Sequence, residues 1–142
     1  MNKSELGKED YPLAENRPDS VVGARNKTLD ALTMDAVMNG DVTMEDLRIT
    51  PRALKQQAQI ARSVGRAELA ENFERAAEMA TIPQDRIMKL YELLRPGRAE
   101  SKETLMKEAN ALKVEFNAPL LAAFVEEAAA LYDRRGLFQI RF

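Results

Sequence analysis

The sequence predicts an all-α fold: a small multi-helix domain with a long irregular N-terminal arm and a short apolar C-terminal tail. Three observations carry this. Between Thr33 and Gly136 apolar residues return every three or four positions, the spacing of one helix face. Threonine or serine precedes several of these stretches and glycine or proline follows them, as helix ends require. The apolar–polar alternation of a strand is nearly absent before the last six residues.

The arm, residues 1–32, shows neither period. It carries Tyr11-Pro12, Arg17-Pro18 and Gly23, with Leu13, Val21, Val22 and Leu29 scattered singly. An irregular segment of this length exceeds what compact domains usually carry. Isolated apolar anchors suit a segment wrapped on a partner better than a free tail. Tyr11, Leu13 and Leu29 are the candidate partner contacts, each apolar where no local core is evident.

The helical body spans residues 33–136. Thr33 caps a short helix that Asn39-Gly40 ends, and Thr43 caps one further turn. Thr50-Pro51 opens a helix with Leu54, Ala58, Ala61 and Val64 on one face, interrupted at Gly65. The next stripe is Leu69, Phe73, Ala76, Ala77 and Ala80. Ile82-Pro83 starts a helix with Ile87, Leu90, Tyr91 and Leu94, which Pro96-Gly97 ends. Ser101 caps a helix carrying Leu105, Ala109, Leu112 and Phe116. Pro119 opens the last, with Leu121, Phe124, Val125, Ala128, Leu131 and Tyr132, closed by Gly136. Ala76-Ala77, Ala122-Ala123 and Ala128-Ala129-Ala130 allow close helix approach, within the domain or across an interface. In the tail, residues 137–142, Phe138, Ile140 and Phe142 alternate with Gln139 and Arg141, a strand-like period that needs a covering surface on the body or on another chain.

Composition excludes several function classes. With 142 residues, 45% of them apolar, the chain can bury a core. Its 21 basic and 23 acidic residues give a net charge of -2, which argues against nucleic acid and against a polybasic membrane surface. No apolar run approaches a membrane span, and the first ten residues lack the apolar core of a secretory signal, so a cytoplasmic location is expected. There is no histidine and no cysteine, which removes the commonest acid–base group and the usual activated-nucleophile pairs.

Carboxylates remain. Glu74 with Glu78 and Glu126 with Glu127 read as solvated faces, because acid–base work needs a cleft that drives two pKa values apart. Arg95 and Arg98, flanking Pro96-Gly97, suit a helix C-terminus. The glycines form no phosphate-cradling pattern, and the seven methionines read as core filling. No catalytic, cofactor-binding or metal-binding residue is assigned to this chain.

A series of blocks then points to a family. In order they are Asp10-Tyr11-Pro12-Leu13-Ala14, Asn26-Lys27-Thr28-Leu29-Asp30, Asp46-Leu47-Arg48-Ile49-Thr50-Pro51, Asn72-Phe73-Glu74-Arg75-Ala76-Ala77-Glu78, Asp85-Arg86-Ile87, Leu94-Arg95-Pro96, and Ala122-Ala123-Phe124-Val125 with Leu131-Tyr132. Each is weak alone, but their order and spacing resemble the small (gamma) subunit of adenosylcobalamin-dependent propanediol and glycerol dehydratases, from about residue 10 to residue 135. The resemblance implies a helical, non-catalytic subunit of a dimer of heterotrimers that converts 1,2-propanediol or glycerol to the aldehyde plus water by a radical route. Its partners would be a large and a medium subunit, which hold the adenosylcobalamin between them. The isolated chain is then expected to lack lyase activity and to aggregate or unfold in part. Family members with a longer N-terminal extension use it to enter a bacterial microcompartment. With nine residues before Asp10, this N-terminus is not expected to encode such targeting, which would have to come from another subunit. Two positions depart from the family pattern, the apolar tail and Glu126, where an arginine is expected. The competing reading is a free-standing helical adaptor that binds another protein through the same surfaces.

Overall fold

The computed structural model describes residues 5–138. Their regular structure is helical, apart from one isolated antiparallel bridge between Val22 and Thr28. The chain forms two compact units, Met1–Ala80 and Thr81–Phe142, so the division falls inside the stretch expected to form one body.

In the first unit, 3-10 turns at Lys8–Asp10, Pro18–Ser20 and Leu29–Ala31 alternate with a single helical turn, α1 (Leu13–Asn16). Two more short helices follow, α2 (Met34–Met38) and α3 (Met44–Leu47), and then a pair of thirteen-residue helices, α4 (Pro51–Ser63) and α5 (Ala67–Met79). The caps read from the sequence are in place. The Thr33 hydroxyl accepts from the Ala36 amide at 3.2 Å, and that of Thr50 accepts from Ala53 at 3.1 Å. Each satisfies an amide that the helix start leaves unpaired. Gly65 joins α4 to α5 with φ of +75°, a conformation that costs other L-residues strain.

α4 and α5 pack on one another through Ala58, Ala61 and Ala70, with Leu69 and Phe73 half-buried beside them. Ala77 is buried as well, whereas Ala80 is exposed. Ile60 is buried in place of Val64, which faces solvent. Alanines let the helix backbones approach closely, but they bury little apolar area.

The second unit is built differently. α6 (Gln84–Leu94), α7 (Lys102–Phe116) and α8 (Pro119–Arg135) surround a core of Ile82, Leu90, Leu105, Leu112, Leu121 and Val125, with alanines between them. The Ser101 hydroxyl accepts from Thr104 at 3.3 Å to cap α7. Asn117 turns the chain with φ of +50° before Pro119 opens α8. The Tyr132 hydroxyl donates to the Leu94 carbonyl, and its ring meets Phe138 edge-on at 6.2 Å between centroids. The start of the apolar tail thus folds back on its own unit, in a turn. Ile140 and Phe142 lie outside the described residues.

Besides Val64 and Ala80, other sequence expectations need correction. Tyr91 and Phe124, assigned to apolar stripes, are 60% and 44% exposed. The methionines are not core filling: Met34, Met38, Met44, Met79, Met88 and Met106 are all exposed. Periodicity finds a stripe but not its edges, and both aromatic residues sit at an edge. Methionine tolerates either environment, so its burial is not written in its chemistry.

Leu112, 1% exposed at the centre of the second unit, sets a direct test. Leu112→Ala is expected to cost about 3 kcal/mol, within the range for leucine truncation in a well-packed core. Urea denaturation followed by circular dichroism reads it. A change under about 1 kcal/mol would mean that this core is loosely packed.

Candidate functional site

Tyr11, Leu13 and Leu29 lie in a segment held by polar contacts. The Asp10 carboxylate is buried and accepts from the Gly7 amide at 2.8 Å and from the Arg17 guanidinium at 2.9 Å. The Leu6 amide donates to the Gln59 side chain at 3.2 Å, and the Gln56 side chain donates to the Ser20 carbonyl at 3.1 Å. Both glutamines belong to α4, so the segment is fastened along that helix.

The three residues have different surroundings. Leu13 is buried at 6% exposure within its own unit. Tyr11 is 61% exposed and walls a cleft of about 350 Å³ lined by Ile60, Ala61, Val64, Leu69 and Phe73. Leu29, at 37% exposure, lines a second depression of about 190 Å³ with Val21, Val22, Leu32, Leu47 and Ile49. Tyr11 and Leu29 are therefore available for contact, and Leu13 shapes the segment from inside.

Asp46 organises the second depression. Its side chain is fully buried, one oxygen accepting from the Arg25 Nε at 2.9 Å and the other from the Thr43 amide at 2.9 Å. Arg25 also pairs with that second oxygen and donates to the Asp41 carbonyl at 2.8 Å. The Arg25 guanidinium holds the Asp46 carboxyl down at about 2, against the burial that would raise it. Gly23 passes so close that a Cβ would lie 2.9 Å from the Asp46 carbonyl oxygen. The Thr43–Asp46 spacing is a capping pattern legible in the sequence. The pairing with Arg25, twenty-one residues away, is not.

Two of the carboxylates considered for chemistry are held in ion pairs. Glu74 pairs with Arg62 at 2.6 Å, and Glu126 pairs with Lys113. Arg95 reaches Glu92 at 3.2 Å, one turn back on its own helix. Sequence reasoning missed Glu108, which is 6% exposed on the apolar side of α7. It accepts from Arg86 at 2.9 Å and Lys89 at 3.3 Å. Arg86 also reaches Glu115 at 3.1 Å and stacks over the Phe116 ring at 5.2 Å. Burial pushes the Glu108 carboxyl up, but the hydrogen bonds from Arg86 and Lys89 outweigh it and hold it below its usual value. The signal was present: Glu108 stands three residues after Leu105 and four before Leu112, inside the stripe. Among the described residues no group of histidine, cysteine or carboxylate side chains could hold a metal ion, and no helix is long and apolar enough to cross a membrane.

The site is thus an apolar surface fastened by arginines paired with buried carboxylates. Comparison with known proteins says what kind of chain carries it. The family described as dehydratase small subunit matches residues 6–139. This chain belongs to that family. The propanediol dehydratase small subunit of Citrobacter freundii is 51% identical over 126 residues, covering 89% of this chain and 73% of the relative. That of Salmonella typhimurium is 50% identical over 126 residues, covering 89% and 72%.

The depressed Asp46 pKa gives a pH dependence. A carboxyl whose folded pKa lies below its usual 3.8 adds stability that is complete above about pH 4 and is lost as pH falls toward about 2. Asp46→Asn removes that contribution, so its urea midpoint is expected to fall less than the parent's between about pH 5 and pH 2.5. Equal falls would show that the Arg25–Asp46 pair does not contribute. Gly23→Ala is expected to lower the midpoint too, by forcing backbone away from Asp46.

Proposed function

We propose that this chain is the small, non-catalytic subunit of a diol dehydratase, the lyase that converts 1,2-propanediol or glycerol to the aldehyde plus water by an adenosylcobalamin-dependent radical route. The family match over residues 6–139 carries this reading, and the two propanediol dehydratase relatives at half identity point the same way. The partners are a large and a medium subunit in a dimer of heterotrimers, acting in the cytoplasm.

The coenzyme belongs to those partners. The clefts beside Tyr11 and beside Arg62 hold about 350 Å³ and 360 Å³, the scale of a small ligand and not of a corrinoid. The chain also has no histidine with which to ligate cobalt. Its residues do not fit the group, and no catalytic step passes through them. Their work is assembly: residues 1–32 form the partner-contacting segment, with Tyr11 and Leu29 as contacts, ahead of the helical body at 33–136 and the tail at 137–142.

Affinity purification of the tagged chain from its host, followed by an aldehyde assay with added coenzyme, tests the reading. Two larger subunits and coenzyme-dependent aldehyde are expected in the eluate, and none from the isolated chain. Tyr11→Ala should weaken assembly about tenfold, as truncation of an exposed aromatic anchor does. A chain that arrives alone, or with unrelated proteins and no aldehyde, would hand the case to the adaptor reading.

A further inference from the structure

Unit 1 turns its larger apolar side chains outward over one short stretch. Met34, Met38 and Met44 are 74%, 78% and 70% exposed. Leu47 and Ile49 are 58% and 62% exposed, and Val37 is 47% exposed. Six large apolar residues at half to three-quarters exposure leave several hundred Å² uncovered. That reaches the range of the largest patch a monomer tolerates and approaches the roughly 800 Å² one partner gives to a stable interface. Met34 and Met38 are one turn apart on α2, and Leu47 and Ile49 line the same depression as Leu29.

The charge around this surface is one-sided. From Leu29 to Thr50 five carboxylates stand against a single arginine, Arg48, in a chain whose net charge is only -2. Arg25 neutralises Asp46, and Arg48 lies 3.5 Å from Glu45. Among the described residues Asp30 and Asp35 form no ion pair, and Asp41 lies near Arg25, whose guanidinium is already engaged by Asp46, so the apolar surface is edged with negative charge. Two copies facing each other would set acid against acid, and like charges across an interface oppose association.

We infer that the α2–α3 segment, from Leu29 to Ile49, docks on another subunit of the dehydratase at an apolar face fringed by lysine or arginine. This rests on the proposed subunit role. It adds a specific surface and the chemistry of the face that covers it. Methionine suits such a contact, because its unbranched side chain adapts to the partner's relief.

The test uses the assembled dehydratase and the free chain side by side. Dilute peroxide transfers one oxygen atom to each accessible thioether, giving sulfoxide and water, and mass spectrometry reads each methionine. Oxidation of Met34, Met38 and Met44 is expected to slow at least about tenfold in the complex. Photocrosslinking from position 38, with p-benzoylphenylalanine in place of Met38, is expected to capture another dehydratase subunit. The exposed Met38→Lys change should leave the free chain's thermal midpoint in place while weakening assembly about a hundredfold. Oxidation at the free-chain rate inside an active complex, or a crosslink to a second copy, overturns the inference while the subunit reading stands. If no complex forms with dehydratase subunits, the subunit reading fails and takes the inference with it.

Discussion

The Asp46 side chain is shut off from water, with the Arg25 guanidinium and the Thr43 amide on its oxygens. A buried carboxylate left without such donors would cost several kcal/mol, so segment 23–46 is bound to one arrangement. The constraint matters because the interior of unit 1 is small, with Leu13, Val42 and Ile60 its larger buried apolar residues. Its core cluster is three alanines, and alanine burial brings close packing but a small hydrophobic gain. Asp10 with Gly7 and Arg17 repeats the device nearer the N-terminus. Polar fastening replaces apolar volume, which leaves the large apolar side chains of that unit free to point outward.

The two units therefore build their interiors differently. Thr81–Phe142 buries Leu90, Leu105, Leu112, Leu121 and Val125, while Val114 and Leu120 stay exposed. Met1–Ala80 places Tyr11, Met34, Met38, Met44, Leu47 and Ile49 on the surface. A monomer gains nothing from that arrangement, and a subunit whose interface is built from those residues does. The family to which the chain belongs supplies the setting, since a dehydratase small subunit is one part of a larger enzyme.

Much of the helical layout could be read from local chemistry. Thr33, Thr50 and Ser101 cap helices where their hydroxyls stand before an apolar period, and Gly65 and Gly136 mark breaks with positive φ. These signals act over one turn, and one turn is what a sequence displays. The missed features act at longer range. Arg25 with Asp46 and Arg86 with Glu108 pair across about twenty residues, and nothing local names the partner. Lys89 could have been assigned to Asp85 on its own helix, yet it reaches Glu108 on the next. The methionines misled for another reason: apolar composition does not say which face of a helix turns toward the core. Of the proposed contact surface, Leu29 and Tyr11 stand out in the sequence as isolated anchors in an irregular segment. The α2–α3 methionines were not, because their capped, periodic helices looked like ordinary pieces of a core.

Hydrogen exchange across the whole chain, free and within the assembled dehydratase, bears most directly on this division of labour. The account predicts that the protection gained on assembly concentrates between Tyr11 and Thr50, while α7 and α8 are slow to exchange in both states. Protection gained mainly in Thr81–Phe142, with residues 11–50 unchanged, would contradict it.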